Sequence, residues 1–251
     1  MNQPVVETVG SADCLVNLRD VGGLPTRGGG RTRSGVLYRS DAPYPGDRRP
    51  ESVSVWPPVS VLDLRSQRET DHVGYQWDSG TVVHHSPLHD DAAPTTGRPT
   101  SLAGMYRTIV SNDAPRVAGA ASVVMRAAGP VLVHCTVGKD RTGIVIAALL
   151  LAADVEPRAV IDDYVDTAAN MDALRARWVA KGVIRPGGKP IREEFMQAPS
   201  DAISEVVDVI TGWQGGACAW MSDHGVDTLD MDSWHKRLVD DGSTAEGTVL
   251  T

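Results

Sequence analysis

Short apolar runs bounded by Gly, Pro and polar residues characterise the first half of the chain and predict β-strands. The run Val-Leu-Val-His at 131–134 is continuously apolar up to its last residue, as expected for a strand at the centre of a parallel sheet. A second strong candidate, at 59–64, directly follows two prolines. The pattern predicts strands at 16–18, 36–39, 59–64, 81–85 and 131–134.

The apolar pattern takes on a helical period after residue 115. Between 115 and 128 apolar side chains recur every three or four residues, and Gly129-Pro130 ends the predicted helix. The segment 142–153 is apolar on nearly every face, which predicts a buried helix. Strands followed by strand–helix alternation and then by helices predict an α/β fold: a central, mostly parallel sheet flanked by helices, with a helical C-terminal part. Further helices are predicted over 157–180, 191–210 and 231–239.

The composition is that of a globular protein that buries a core without disulfides. The chain has 251 residues, of which 41% are hydrophobic and 22% charged. Its longest apolar run, 144–153, is about half of what a bilayer-spanning helix needs, and no signal-peptide pattern is visible at the N-terminus. Cys14, Cys135 and Cys218 are too few and odd in number for a disulfide framework. We therefore expect a reduced, cytoplasmic protein without a membrane span.

The net charge of −8 is concentrated at one end of the chain. Residues 200–251 contain ten acidic and two basic side chains, whereas residues 1–199 contain 22 of each. An acidic C-terminal region argues against a nucleic-acid polymer as partner. Seven arginines between residues 19 and 49 form either an anion-attracting surface or a set of paired scaffold charges.

Candidate chemistry is concentrated in the segment VLVHCTVGKDRTG at 131–143. A short loop between a strand and a helix turns successive backbone N–H groups inward, which creates an anion site. The same N–H groups and the helix dipole favour the thiolate form of Cys135. Arg141, six residues later, is placed to bind two oxygens of a phosphate, and Thr142 can donate its hydroxyl to the sulfur. Residues 135–141 are called the Cys loop below.

Other interpretations of the chemistry-bearing residues are weaker. A buried structural thiol would not need the Gly, Lys, Arg and Thr that follow Cys135. A nucleotide-binding loop needs Gly where Val133 stands and Ser or Thr where Asp140 stands, and a sulfurtransferase loop usually lacks this run. Because adjacent strand residues face opposite sides, His84 and His85 cannot share one metal ion, and we predict no metal site.

The run His-Cys-x5-Arg-Thr-Gly at 134–143 resembles the active-site loop of the protein tyrosine phosphatase superfamily, and specifically its bacterial tyrosine/serine and lipid phosphatase branch. The resemblance extends over residues 14–240 and implies a protein-tyrosine-phosphatase-like α/β fold. It implies one domain over 1–251, with flexible ends at 1–13 and 242–251 and a lid region at 157–190. Further matching segments are 17–23, 35–41, 61–66 with Glu69, 163–164 and 174–177.

The resemblance implies hydrolysis of a phosphate monoester through a cysteinyl-phosphate, without metal or cofactor. Cys135 is then the nucleophile, and Arg141 with the loop amides stabilises the transferred group. His134 and Thr142 support them. The general acid is expected to be Asp63 or Asp140, ahead of Asp90 or Asp91. The expected phosphate-binding residues are Thr136, Val137, Gly138, Lys139, Asp140 and Arg141.

The substrate stays open at this stage. The resemblance implies a phosphoprotein or a phosphoinositide, and Lys139 suits either the extra phosphates of an inositol headgroup or a single phosphate. Aromatic residues make up only 5% of the chain, and the candidates to hold a phosphotyrosine ring are Tyr44, Trp56, Trp77 and Tyr106. This scarcity leaves a small phosphorylated metabolite, such as a sugar or nucleoside phosphate, as an alternative. A catalytically silent phosphate-binding module is disfavoured because the chain keeps the cysteine, the arginine and acidic candidates.

Overall fold

The computed structural model of the chain describes residues 12–88, 101–184 and 196–242. The ends expected to be flexible, 1–13 and 242–251, lie almost wholly outside these ranges, as do the candidate acids Asp90 and Asp91. In the described ranges no helix is long and apolar enough to cross a membrane.

A five-stranded sheet forms the centre of the fold. Its members are β1 (Arg19–Asp20), β3 (Leu37–Ser40), β4 (Ser60–Asp63), β5 (Val82–His85) and β6 (Val131–His134). They lie in the order β1-β3-β6-β4-β5, with β1 antiparallel to β3 and all other neighbours parallel. This arrangement confirms the predicted α/β fold with a mostly parallel sheet. A separate antiparallel pair consists of β2 (Arg31–Thr32) and β7 (Val239–Asp240).

The strand predicted at 16–18 is wrong in position. The backbone N–H groups of Val16 and Asn17 donate to one carboxylate oxygen of Asp41, at 3.0 and 2.9 Å, instead of to a neighbouring strand. Sheet pairing begins only at Arg19, opposite Arg39. The Asp41 side chain therefore accepts the hydrogen bonds that the apolar pattern predicted these backbone amides to make with a neighbouring strand.

Helices flank the sheet, and most of the predicted ones are present. The predicted helix at 157–180 is divided by a 3₁₀ turn at Asp166–Asn170, and the one at 191–210 begins, in the described residues, at Ser200. Three helices, α1, α2 and α8 below, were not predicted. The helices are α1 (Gln67–Val73), α2 (Leu102–Asn112), α3 (Ala114–Arg126), α4 (Asp140–Ala152), α5 (Pro157–Val165), α6 (Met171–Ala180), α7 (Ser200–Thr211), α8 (Gly216–Asp223) and α9 (Thr228–Leu238).

Helix α4 is the central helix of the core, as its uniformly apolar sequence predicts. Every residue from Thr142 to Ala152 is buried, and the helix packs against α3, α5, α7 and α8. Alternating strand residues sort to the two faces of the sheet. Leu37, Leu62 and Val133 join the core around α4, whereas Tyr38, Val61 and Leu132 pack on the other face.

The described part of the predicted lid region, 157–184, contains α5 and α6. Arg177 of α6 is fully buried and forms ion pairs with Asp41 and Asp47. Apolar residues of the same helix pack against Tyr44 and Val137. Helix α6 is thus anchored beside the Cys loop by both charge pairs and apolar contacts.

Candidate active site

The Cys loop lies where the carboxyl ends of three parallel strands meet. Strand β6 lies between β3 and β4, and Cys135 is the first residue after it. In open α/β sheets this edge is where ligands bind. Helix α4 begins at Asp140, so its N-terminal N–H groups and the positive end of its dipole border the loop.

The Cys135 sulfur is buried and receives a backbone hydrogen bond. The thiol residue is 1% exposed, and the Gly138 N–H donates to its Sγ at 3.3 Å. Gly138 has a φ of +75°, and a Cβ there would lie 2.3 Å from the carbonyl oxygen of Ser40. Only glycine therefore fits at this point of the loop, because both its backbone conformation and the close approach of β3 exclude a side chain.

Arg141 is held by a carboxylate from α1. Its two terminal nitrogens donate to the two oxygens of Glu69, each at 2.7 Å, and Nη1 also donates to the Leu64 carbonyl at 3.2 Å. Nη2 also donates to Thr136 Oγ1 at 3.4 Å, so that, of the five N–H donors of the guanidinium, only that of Nε has no partner among the described residues. Burial acts to lower the pKa of Arg141, but the hydrogen bonds with Glu69 and the charge of Cys135 raise it above its ordinary value.

The sequence did not predict that Glu69 contacts Arg141. Glu69 completes a capping box with Ser66 at the start of α1, and its other oxygen accepts from the Thr136 hydroxyl at 2.5 Å. Although burial opposes it, hydrogen bonds from Arg141 and Thr136 lower the pKa of Glu69 to about 2. The Ser66-x-x-Glu69 spacing was the available signal for the helix start, but not for the contact with Arg141.

Asp140 belongs to a network of buried donors. Its Oδ1 accepts from Lys139 Nζ and from the Tyr106 hydroxyl, each at 2.6 Å. The Tyr106 and Tyr164 hydroxyls lie 2.9 Å apart. Burial raises the pKa of both phenols, so they stay protonated and serve as donors. Within the described ranges Oδ2 of Asp140 has no hydrogen-bond partner, and the side chain is 25% exposed.

Asp63 lies at the end of β4 in a closed ion pair. Both its oxygens accept from the Arg65 side chain, at 2.7 to 3.2 Å, and its Oδ1 also accepts from the Arg65 N–H. Burial acts to raise the pKa of Asp63, but His134 and the contacts with Arg65 keep it lowered. His134 lies 3.8 Å away and adds a charge only in acid, because burial lowers the pKa of His134 to about 4.

Two further predicted site residues differ in their surroundings. Thr142 is fully buried, and its hydroxyl has no hydrogen-bond partner in the part of the chain that the structure describes. Val137 packs against the cluster formed by Tyr44 and apolar residues of α6. This apolar contact anchors the Cys loop to the domain.

The arginines of the N-terminal region are largely paired scaffold charges. Arg19 and Arg39 both bind the carboxylate of Asp163 on α5. Arg39 also donates to the carbonyl of Gly138 at 3.0 Å. These contacts confirm the scaffold interpretation for this pair and connect it directly to the Cys loop.

Residues that could ligate a metal do not converge in the described ranges. No group of three His, Cys, Asp or Glu side chains there could hold an ion. The Nε2 of His85 instead lies 2.6 Å from the carbonyl oxygen of Arg65.

Comparisons with known proteins agree on one family. Residues 11–240 match the tyrosine phosphatase family. Triple specificity protein phosphatase PtpB of Mycobacterium tuberculosis is 38% identical, over 78% of this chain and 89% of PtpB. A Cupriavidus necator protein with the provisional name of a tyrosine-protein phosphatase is 29% identical, over 76% of this chain and 77% of its own. The structure of P. aeruginosa TpbA in complex with pTyr aligns with 59% of this chain and 80% of TpbA, at 18% identity and a TM-score of 0.30. By its match to the family over residues 11–240 and its identity with PtpB, the chain belongs to the tyrosine phosphatase family and is a phosphatase of the protein tyrosine phosphatase type.

Proposed function

We propose that this phosphatase hydrolyses phosphate monoesters through a cysteinyl-phosphate on Cys135. First the sulfur forms a bond to phosphorus, the ester P–O bond breaks, and Asp140 gives a proton to the leaving oxygen. Then water attacks phosphorus, Asp140 takes a proton back, and the S–P bond breaks to release inorganic phosphate. The carrying observation is the Gly138 N–H directed at Cys135 Sγ beside the N-terminus of α4.

Arg141 and the loop amides are proposed to stabilise the transferred group. Glu69 accepts from two donors of Arg141 and leaves the Nε N–H for phosphate, so the guanidinium is oriented before substrate arrives. The long 3.4 Å contact from Nη2 to Thr136 can be exchanged for a second phosphate oxygen. Preorganised donors of this kind stabilise charge that develops in the transition state. Thr142, with its unpartnered hydroxyl, is the proposed donor to the sulfur as it leaves in the second step.

Asp140 is a better candidate for the general acid than Asp63. Both oxygens of Asp63 are engaged by Arg65. Asp140 is partly exposed, immediately precedes Arg141, and binds its two donors through Oδ1 alone. Its Oδ2 is therefore the oxygen that we propose to carry the transferred proton.

For the substrate we propose a phosphoprotein. Lys139 is fully buried and its ammonium group binds Asp140, so it is not directed toward a second phosphate of an inositol headgroup. A cavity of about 200 Å³ is lined by Tyr44, His72 and Val73 and offers room for part of a peptide. Tyr44 belongs to the apolar cluster against which Val137 of the Cys loop packs. The alternative substrate is a small phosphorylated metabolite. It is supported by the burial of Tyr44 and Tyr106, because a buried ring is not accessible for stacking against a phosphotyrosine ring.

Phosphate release from a substrate panel tests both parts of the proposal. The panel contains an aryl phosphate, phosphotyrosine and phosphoserine peptides, phosphoinositides, and sugar and nucleoside phosphates, each with EDTA and beside Cys135→Ser. We expect turnover of the aryl phosphate and the phosphopeptides, insensitive to EDTA and lost in the variant. Turnover that survives in Cys135→Ser would refute the mechanism, and a preference for a sugar or nucleoside phosphate would refute the substrate.

A further inference from the structure

We infer that Asn17 is a positioning residue of this site: its side chain fixes the 137–138 peptide so that the Gly138 N–H points at the Cys135 sulfur. The inference rests on the proposed role of Cys135 as nucleophile. Asn17 lies in the segment before β1, 120 residues before Val137 in the chain. Its contact with the loop is therefore a feature of the tertiary fold alone.

One peptide group connects Asn17 to the nucleophile. The Nδ2 of Asn17 donates to the Val137 carbonyl oxygen at 2.6 Å. The N–H of the same peptide, which belongs to Gly138, donates to Cys135 Sγ at 3.3 Å. In a planar trans peptide the C=O and the N–H point in opposite directions. Holding the carbonyl from outside the loop therefore fixes the N–H on the sulfur.

Asn17 is itself held firmly in one orientation. It is 1% exposed, and its backbone N–H donates to Asp41, which in turn accepts from Arg177 at 3.1 Å. Rotating the amide by a half-turn would place its oxygen against the Val137 carbonyl oxygen, two acceptors in contact. The Nδ2 donor must therefore face the loop.

The other end of the Asn17 amide indicates why a polar residue stands here. Its Oδ1 is buried without a hydrogen-bond partner among the described residues. Such an atom is unfavourable, and an apolar side chain of similar size would avoid it. Among the described residues the Asn17 side-chain amide makes one hydrogen bond, to the Val137 carbonyl, and that bond is what an apolar side chain could not provide.

The next peptide is held in the same manner by Arg39. Its Nη2 donates to the Gly138 carbonyl, which turns the Lys139 N–H away from Arg39. Arg39 also forms a buried ion pair with Asp163, so its removal would disturb more than the loop. Asn17 is uncharged and offers the cleaner test.

The test measures the reactivity of Cys135 in Asn17→Leu, which keeps the size and removes the donor. Inactivation by iodoacetamide is followed by loss of aryl phosphate turnover, so that Cys14 and Cys218 do not contribute to the signal. We expect inactivation at pH 6 to slow about tenfold, with little change at pH 9, because one N–H bond to the thiolate is lost. The matched control is Thr32→Val, which removes a buried hydroxyl that donates to the Val21 carbonyl at 2.6 Å. Thr32 lies in β2, which pairs with β7 and not with the strands that carry the Cys loop.

The outcomes separate this inference from the proposed mechanism. Thr32→Val should lose stability but keep the wild-type ratio of inactivation rates at the two pH values. An unchanged ratio in Asn17→Leu would overturn the role of Asn17 while leaving the mechanism intact. A wild-type enzyme that iodoacetamide does not inactivate would instead overturn the nucleophilic role of Cys135.

A second measurement covers an Asn17→Leu variant that does not fold. In ¹⁵N-labelled wild-type protein, the Gly138 amide resonance should move with pH at the same midpoint as the inactivation rate, and the Asn17 side-chain amide protons should exchange slowly. A Gly138 resonance that stays constant while Cys135 ionises, or fast exchange of the Asn17 amide, would overturn the inference.

Discussion

Replacing Glu69 by Gln perturbs the orientation of Arg141 with little change in shape. Glu69 Oε2 accepts from both the Ser66 N–H and Arg141 Nη1, and a glutamine carbonyl placed there keeps both contacts. The new NH₂ group takes the position of Oε1, where it faces the Nη2 donor of Arg141 at 2.7 Å. The charge-assisted hydrogen bond from Arg141 is thus replaced by a contact between two donors. The Thr136 hydroxyl, which donates to the same Oε1 at 2.5 Å, can instead rotate to accept from the new NH₂ group.

The size of the effect follows from the number and exposure of these bonds. A hydrogen bond to a charged group is worth about 1.5–3 kcal/mol, and the partial exposure of Glu69 places this one at the lower end. A loss of about 1.5–2 kcal/mol from the oriented state of Arg141 corresponds to a roughly 10- to 30-fold lower kcat/KM. We expect that loss for an aryl phosphate, measured by initial rates at neutral pH.

The matched control for this experiment is Glu205→Gln. Glu205 also pairs with an arginine, Arg107, but on the surface between α7 and α2 and away from the Cys loop. Its replacement should leave kcat/KM unchanged and alter stability by less than about 1 kcal/mol. Wild-type turnover in Glu69→Gln, or an equal loss in both variants, would refute the claim that Glu69 acts by orienting Arg141.

Three further predictions follow from the same contacts. Gly138→Ala should abolish turnover and lower the free energy of unfolding by more than about 2 kcal/mol, because the added Cβ would lie 2.3 Å from the backbone of β3. Gly119→Ala, which has open space around it, should be neutral or slightly stabilising in thermal melts. Similar melting behaviour of the two variants would contradict this explanation. Asp140→Asn should slow the hydrolysis of phenyl phosphate by about 100-fold, because the phenolate leaving group needs a proton. The same variant should slow much less the hydrolysis of an aryl phosphate whose leaving group departs without a proton. Asp63→Asn should show no such difference between the two substrates, and the reverse pattern would assign the acid role to Asp63. Folding lowers the pKa of Glu69 from its ordinary 4.5 to about 2, so the contribution of its charge to stability is complete above pH 4.5 and is lost as the pH falls through 2. The difference in unfolding free energy between wild type and Glu69→Gln, measured by denaturant titration, should therefore shrink over that pH interval. A constant difference would exclude the charge as its cause.

The centre of the site could be predicted from sequence because its information is local. Strand β6, the Cys loop and the start of α4 are contiguous, so the spacing from Cys135 to Arg141 already specifies a loop between a buried strand and a buried helix. The supports of the loop could not be predicted in this way. Glu69 and Asn17 contact it across 72 and 120 residues, and no periodicity encodes such pairs.

The strand misplaced at 16–18 and the interruption of the helix predicted at 157–180 have the same origin. The apolar pattern at 16–18 indicated a strand, but the Asp41 carboxylate binds the amides there. The continuous helix predicted at 157–180 is interrupted at Thr167, where the buried hydroxyl accepts from Arg19 at 3.1 Å. In each case a polar side chain distant in sequence determines the backbone, and hydrophobic patterning carries no signal for it.

The supports of the Cys loop also bear on when, during synthesis, the enzyme becomes active. Asp163 on α5 orients Arg39, and Arg177 on α6 binds the Asp41 carboxylate that holds Asn17. Both lie C-terminal to the nucleophile, so a nascent chain exposes Cys135 before these anchors have left the ribosome. The loop then lacks the contacts that orient its amides. If Cys135 acts as proposed, we expect phosphatase activity to begin only after α5 and α6 have folded against the Cys loop.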